Sequence, residues 1–535
     1  MLDLQSLPSD AEKLKEIIVT QFLSHQKEIK LREEKLQIQE NKIKKRDKWI
    51  DQLTEALRLA RMARFACTSE KLPSNQSELF NEVELVAKEE AAEGVEVDEE
   101  LSEVNSEVSD SLPRKVRPKR KALPAHLVRE EVILDLSDTE KVCEKDGSAL
   151  KEIASEISEQ LDYVPAQMKV IRWIRKKYVC PCCDETIKTA SLPEKILPKS
   201  NAAPGLLAYI ATSKYVDALP LYRLNQMFKR MDVDLPRNTM ASWMIALREK
   251  LQPLYNLMEE DLLSSDYVCA DETVVQVLKE EGKKAESKSY MWVRARPGEN
   301  PIILFDYDPT RSGEVPKRLL KDFKGYLQVD GYAGYDGVCS NPEITRVGCM
   351  AHVRRKFFDS YKVNKKVGGP AEYVLGQIKL LYKIEEAIKE KKVEEKKRMR
   401  EEEALPILSA LKQWIDENES KYPPQSLIGK ALTYAKNQWK HLLQYTREGK
   451  LNIDNNFTEN RIRPFAVGRK NWLFSDSVEG AEASGMIYSI LQTARGNGLE
   501  PYAYLKHLLT ELPKAKTLEK IEKLLPHKID FKILN

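Results

Sequence analysis

Three acidic residues occupy positions from which metal-assisted chemistry on a phosphodiester becomes feasible. Asp271 follows the run YVCA, and Asp330 ends the run GYLQV. Both runs are short and rich in β-branched or aromatic residues, so both read as strands. A carboxylate at the end of a buried strand is costly unless something pairs with it. Two such strands side by side bring two carboxylates together, and a bound Mg²⁺ relieves their repulsion. Glu459 lies in IDNNFTENRIRP, on a short helix that Pro464 is expected to end. Three carboxylates converging in this way can hold two metal ions. One ion activates an attacking water or 3′ hydroxyl; the other stabilises the leaving oxygen. Each acid also has a plainer reading. Asp271 fits a turn. Asp330 precedes Gly331, and Asp-Gly often opens a turn. Asp454 either caps the Glu459 helix or is itself the third ligand.

The cysteines fall into two groups. Of the eight, Cys67, Cys269, Cys339 and Cys349 are scattered and read as inert buried thiols. Cys180, Cys182 and Cys183 are packed into YVCPCCDE, downstream of Cys143. That is metal-type spacing rather than a disulfide framework.

The elements that must position these groups are legible from the pattern. From 266 onward YVCADETVVQVL, SYMWVRAR, IILFDYD and GYLQVDGY read as strands, followed by helical stretches from 350 to 445. Within the latter, 383–403 reads as one highly charged solvated helix. Strands first and helices after predict a mixed α/β catalytic domain with a helical insertion. Upstream, 203–263 is helical, and Asn238 or Thr239 offers a cap after Pro236. This stretch fits a helix-turn-helix unit or a packed helical spacer equally.

The N-terminal part is patterned differently. No Pro or Gly interrupts Ala11 to Phe65, and Phe22, Ile29, Leu36, Ile43, Ile50 and Leu57 recur every seven residues. Such a seam predicts a coiled coil. The second seam position is poor, since Arg32, Gln39 and Arg46 fall there, so a long surface helix packed on the chain's own body is the alternative. Residues 82–110 hold twelve acidic residues and one lysine, too few apolar groups to offset ordering entropy. The surrounding stretch 72–112 reads as a disordered linker. RKVRPKRK at 114–121 follows, suited either to DNA phosphates or to solvent. The near-neutral net charge of +3 hides this asymmetry. A chain that is 42% hydrophobic over 535 residues predicts several domains with real cores. No signal peptide and no run long enough to span a bilayer is recognisable, so the chain reads as soluble and cytoplasmic.

Several segments resemble the transposases of the insertion-sequence sixty-six family, the large TnpC-type subunit. They are FACTSEK, LPAHLVREEV, LDYVPAQMKVIRWIRKKYVC, SKYVDALPLYR, ADETVVQVL, LQVDGYAGY, GCMAHVRRKFFD, IDNNFTENRIRPFAVGRKNWLF and TARGNGLEPYAYL. They follow the family's order and cover nearly the whole chain. The resemblance implies a DDE transposase that binds the ends of a bacterial insertion sequence. It would cleave there and transfer the strand into target DNA. It also implies a ribonuclease-H-like catalytic domain, with Asp271, Asp330 and Glu459 as its acids and two Mg²⁺ or Mn²⁺ as cofactors. His352 would contact the scissile phosphate or act as an acid for the leaving oxygen. Arg354, Arg355, Arg461, Arg463, Arg469 and Lys470 would neutralise DNA phosphates. A zinc-finger-like module is implied too, with Cys143 and Asp146 as one ligand pair and Cys180 and Cys183 as the other. Asp146 departs from the family's cysteine, which leaves either one Zn²⁺ or a metal-free remnant of the module.

The expected organisation is a coiled-coil helix at 1–71 and an acidic then basic linker at 72–122. A zinc-finger-like domain follows at 123–192 and a helical spacer at 193–263. The catalytic domain begins at 264–362, is interrupted by the helical insertion at 363–450, and is completed at 451–475. A helical region closes the chain at 476–535. Holding two DNA ends together implies a homo-oligomer, and the resemblance raises accessory proteins of the same element as further partners. A DNA-binding regulator with an inactive site, and a nuclease that cuts without joining, share many of these residues; the resemblance favours the transposase.

Overall fold

The computed structural model describes residues 11–65, 167–179, 187–363 and 369–529. The acidic stretch, the basic run, Cys143, Asp146, Cys180, Cys182 and Cys183 lie outside the described residues. The chain divides into two units, Glu89–Leu192 and Met1–Lys88 with Pro193–Asn535. In the smaller unit β1 (Lys177–Val179) pairs antiparallel with β2 (Ile187–Thr189). The two strands flank the cysteine-rich segment in sequence.

In the larger unit α1 (Ala11–Phe65) is one continuous helix, as its lack of Pro and Gly predicts. Phe22, Ile29, Leu36, Ile43 and Ile50 are exposed along it. Among the described residues, three helices lie between β2 and the sheet in sequence: α2 (Pro204–Tyr215), α3 (Leu221–Lys229) and α4 (Arg237–Leu263). The last starts on Pro236 with no side-chain cap, so neither Asn238 nor Thr239 plays that part. A proline at the N-cap fixes φ at the helix start but has no side-chain acceptor to offer the first-turn N–H groups. All three helices bury apolar side chains in the same core as the sheet.

The sheet has the order β5-β4-β3-β6-β7, with β8 attached to β3. Its strands are β3 (Tyr267–Lys279), β4 (Lys288–Arg296), β5 (Ile302–Asp308), β6 (Gly325–Gln328), β7 (Ile344–Val347) and β8 (Ser475–Ser477). β3, β4 and β5 form an antiparallel meander, while β6 and β7 add in parallel. Parallel pairing needs a crossover. It is supplied by α5 (Glu314–Leu319) before β6 and α6 (Asp336–Cys339) before β7. Gly325 opens β6 at φ +132°, where a Cβ would collide with the Asp266 carbonyl.

The remaining helices are α7 (Met350–Val363), α8 (Pro370–Ala387), α9 (Val393–Met399), α10 (Leu405–Asn418), α11 (Leu427–Leu442), α12 (Asn456–Trp472), α13 (Val478–Gly496), α14 (Pro501–Glu511) and α15 (Leu518–Glu522). Two cores result. One joins α2–α4, α13 and α14 to the sheet. The other joins α7, α8, α10 and α11 to Tyr267, Cys269 and Val347.

Two local expectations are corrected. The charged stretch 383–403 is not one solvated helix, for α8 ends at Ala387 and α9 starts at Val393. Arg400, just beyond α9, turns inward to pair with Glu385 and to donate to the carbonyls of Tyr445 and Glu448. A buried guanidinium needs such a full set of acceptors. Pro464 does not end its helix either: α12 runs on to Trp472. The carbonyl that loses its partner there belongs to Asn460, which is exposed, so water can replace the missing N–H.

Candidate active site

Alternation along β3 decides which way its acids point. Tyr267 and Cys269 enter the second core, while Val268 and Ala270 enter the first. Period two therefore carries Asp271 onto the side of α7 and α12 and Glu272 onto the opposite side. Asp271 is not at the end of its strand, as its sequence context predicts, but five residues into β3. The reason lies at the strand's edge. β6 pairs only with Tyr267–Cys269, and β8 only with Val277 and Lys279. Between them β3 has no strand neighbour on that side, and the acid sits in this gap.

Asp330 lies two residues beyond the end of β6, after Val329. Because Cys269 pairs with Gln328, the register carried two residues on sets Asp330 beside Asp271. Its Oδ1 accepts the Tyr332 peptide N–H at 2.9 Å, so the plainer turn reading also holds. Arg346 grips the loop by donating to the carbonyls of Asp330 and Tyr332 at 2.7 and 3.0 Å. Next to it, a Cβ on Gly331 would lie 2.5 Å from the Tyr434 ring, so glycine is what lets α11 approach the acid.

Glu459 comes from the first turn of α12. The approach to that helix is bonded to the rest of the site residue by residue. The Asn452 carbonyl accepts from Gln328 Nε2 at 2.8 Å, and its N–H donates to the Tyr267 hydroxyl at 3.2 Å. The Ile453 carbonyl accepts from Met350 N–H at 3.1 Å. Asp454 accepts from the Tyr382 hydroxyl at 2.7 Å and from the Asn456 N–H at 3.1 Å. Its carboxylate thus serves the start of α12 and the insertion.

The electrostatics reflect the convergence. Burial pushes the Asp271 carboxyl well above its ordinary range, and the charges of Glu272, Glu459 and Asp330 push it further. Glu272 is raised as well, chiefly by burial, although Tyr335 and Arg311 hydrogen-bond to it. The Tyr335 hydroxyl donates to it at 2.7 Å, as does Arg311 Nε, whose guanidinium stacks on Tyr332 at 3.9 Å. Burial, then Arg355, lowers the His352 imidazole to about 4, so the ring is neutral near pH 7.

The basic residues are placed unequally. His352 Nδ1 lies 3.7 Å from Glu459 Oε1, and Arg355 lies 3.4 Å from Oε2. Arg354 lies over the Phe358 ring and Arg461 over Phe457. Arg469 instead donates to Thr273 Oγ1 and the Val274 carbonyl, binding the far end of α12 to the open edge of β3. Arg463 is half-buried and Lys470 exposed on α12.

The donor set fits divalent cations. Asp271, Asp330 and Glu459 offer hard carboxylate oxygens. Their crowding raises Asp271, a cost that a cation would remove. Among the described residues, the one group of His, Cys, Asp or Glu whose ligand atoms all lie within 4.8 Å of one another is Cys349, His352 and Glu459, which shares Glu459 with the three acids. Cys349, Asn455, Arg311, Arg346 and Glu272 were not singled out as site residues by sequence reasoning. Glu272 alone carried a signal, as an acid adjacent to Asp271 on a strand.

Four family models match the chain in order, and all describe parts of transposases. One described as "Transposase IS66 family" covers residues 199–483. "Zinc-finger binding domain of transposase IS66" covers 140–184, and "IS66 C-terminal element" covers 489–527. "Transposase C of IS166 homeodomain" covers 52–132. A mixed α/β protein with these modules is a transposase, equipped with DNA-binding and zinc-finger segments. The chain belongs to the IS66 transposase family. Similar proteins include uncharacterized protein y4jD of Sinorhizobium fredii (strain NBRC 101917 / NGR234). It is 31% identical over 442 residues, which are 79% of this chain and 85% of that one. Uncharacterized protein y4qI of the same organism is 32% identical over 454 residues, 81% of this chain and 82% of that one. Among the described residues no helix is long and apolar enough to cross a membrane.

Proposed function

We propose that this transposase binds the ends of its insertion sequence, cleaves the DNA there and joins the freed 3′ hydroxyl to target DNA, using Asp271, Asp330 and Glu459. The observation that carries this reading is the convergence of three acids from β3, the loop after β6 and α12, with Asp271 feeling the charge of both others. The strand order, an antiparallel meander extended by two parallel strands, supports a ribonuclease-H-like catalytic domain interrupted by the helical insertion.

Asp271, Asp330 and Glu459 would hold two Mg²⁺ or Mn²⁺ ions, which would supply activation of the attacking oxygen and charge neutralisation at the leaving one. The chain's own groups do the rest. Arg355 sits where a scissile phosphate would approach Glu459 and would exchange that contact for a phosphate oxygen. His352, neutral at working pH, donates a hydrogen bond to the same group. Arg311, stacked on Tyr332, fixes Glu272 and leaves a partly exposed guanidinium beside Asp330. Arg354, Arg461, Arg463 and Lys470 extend the basic surface for flanking phosphates. Attack by water hydrolyses the phosphodiester at the element end and frees the 3′ hydroxyl; attack by that hydroxyl on target DNA is a transesterification that expels a target 3′ oxygen, and neither step needs a covalent protein intermediate.

Three further features belong to this reading. The exposed seam of α1 serves self-association as a coiled coil, holding two ends in one homo-oligomeric assembly. Cys143, Asp146, Cys180 and Cys183 would be the residues to hold one Zn²⁺ in the finger. The protein works in the cytoplasm, with accessory proteins of the same element as further partners.

The test is cleavage and strand transfer in vitro on DNA carrying the element's own ends, with Mg²⁺, comparing wild type with Asp330→Ala. Joined products that disappear in the variant support the carboxylate mechanism. Cleavage that survives the substitution would rule the site out. Binding to the ends without cleavage by either protein would favour a regulator or a missing accessory protein.

A further inference from the structure

Asn455 is completely buried at the N-cap of α12. Asparagine is a favoured cap because its side chain can accept an N–H from the first turn. Here it does not; the helix has no side-chain cap bond. Instead the amide reaches across the chain, and Nδ2 donates to the Ala270 carbonyl at 3.0 Å. That carbonyl lies on the stretch of β3 edge that neither β6 nor β8 covers, one residue before Asp271. A side-chain amide thus stands in for a missing strand.

The backbone of the same residue is also engaged. Its N–H donates to Cys349 Sγ at 3.2 Å. Its carbonyl accepts from the N–H groups of Thr458 and Glu459 at 3.1 and 3.2 Å. Cys349 directly precedes α7, the helix that carries His352 and Arg355. One buried residue therefore bonds to three of the segments that meet at the site: β3 beside Asp271, the residue that leads into α7, and the first turn of α12 at Glu459. The path between two of the acids is short. It runs from Asp271 to the Ala270 carbonyl, through the Asn455 amide and backbone, to the Glu459 N–H. Oδ1 of Asn455 has no hydrogen-bond partner among the described residues. The fold tolerates a buried, unmet acceptor there, which points to the donor as the reason for the side chain.

We infer that Asn455 is a positioning residue that sets the spacing between Asp271 and Glu459, with Cys349 fixing it to α7. The inference rests on the carboxylate site proposed above and adds to it the groups that hold its geometry. Asparagine is specified chemically. Aspartate would set an oxygen against the Ala270 carbonyl, alanine would leave that carbonyl unmet, and glutamine would be one methylene too long for the same gap. Residues that orient metal-binding groups without touching the metal act mainly on affinity.

The test uses the full chain and two readouts: Mn²⁺ binding followed by electron paramagnetic resonance without DNA, and Mg²⁺-dependent cleavage of the element's ends. Asn455→Ala and Asn455→Asp should raise the metal concentration for half-saturation in both by about tenfold or more. Saturating metal should recover part of the cleavage rate, a split that general loss of fold would not give. Cys349→Ser keeps an acceptor and is the milder variant; a smaller shift in the same direction is expected. Ser489→Ala, which removes a buried hydrogen bond at β5 away from the acids, is the stability control. If the Asn455 and Cys349 variants bind Mn²⁺ as Ser489→Ala does, the inference is overturned. Unchanged Mn²⁺ binding in Asp271→Ala would instead remove the carboxylate site beneath it.

Discussion

Burial and three neighbouring carboxylates disfavour the ionised form of Asp271, so its carboxyl titrates higher in the folded chain than in the unfolded one. Such a group contributes stability that is fully present below its unfolded-state pKa and is lost as pH rises through the folded-state value. Protein kept in chelator should therefore become less stable as pH rises above the ordinary carboxylate range, and added Mg²⁺ should raise Tm more at the upper end of that rise. Asp271→Asn should flatten that dependence, raise Tm in chelator and abolish cleavage. Calorimetry across the pH range checks the first two; a chelated wild type whose Tm climbs with pH would contradict them. His352 behaves oppositely. Lowered to about 4, it is neutral over the working range and cannot shape a rate profile there. His352→Asn should cost about tenfold in cleavage rate, the worth of one hydrogen bond, while leaving the pH profile between about 6 and 9 in place. A profile that shifts would assign the ring a titrating role.

At the scale of elements, the edge strand β5 is kept from pairing with other chains by a helix rather than by charge. α13 lays Gly485, Ser489 and Thr493 along it, one per turn. Ser489 Oγ accepts the Phe305 N–H at 2.8 Å, and Thr493 Oγ1 accepts the Ile303 N–H at 3.0 Å. Gly485 is the point of closest approach, since a Cβ there would lie 2.8 Å from the Phe305 carbonyl oxygen. Gly485→Ala should lift α13 from the strand and cost about 1–3 kcal/mol in urea unfolding. A change well under that range would mean the helix can shift freely. The open edge of β3 is handled by the same logic, with Asn455 and Arg469 of α12 bonding the Ala270 and Val274 carbonyls. This explains why Arg469, which the basic motif GRKNW offers to DNA, turns into the protein.

For the whole molecule, the proposed self-association depends on α1. Leu36→Asp combined with Ile43→Asp places two charges on exposed apolar positions of its seam. The double variant should lower the mass measured by light scattering and weaken strand transfer more than end binding. An unchanged mass would remove α1 from that role. In the finger, Asp146→Cys should slow the loss of zinc to a chelator, because thiolate binds zinc more tightly than carboxylate in structural sites. Equal rates would mean that position 146 is not a ligand.

The sequence by itself determined the family, through motifs spread over the whole chain, and the mixed α/β character, through β-branched runs followed by helical ones. The long N-terminal helix was legible too, because Pro and Gly are absent and heptad spacing is a local property. Asp271, Asp330 and Glu459 could be singled out as candidates, but the way the chain arranges them could not. Asp271 looked like a strand end because its gap in the β3 edge depends on where β6 stops and β8 starts. Pro464 looked like a helix end because propensity does not register that the carbonyl it deprives faces solvent. Arg400 and the break at 388–392 were hidden inside a charged run, since composition cannot say which one of many charges is buried. Only tertiary structure could assign Asn455, Cys349 and Arg346. Their roles consist of hydrogen bonds to groups up to 185 residues away in the chain, and sequence pattern reports nothing at that range.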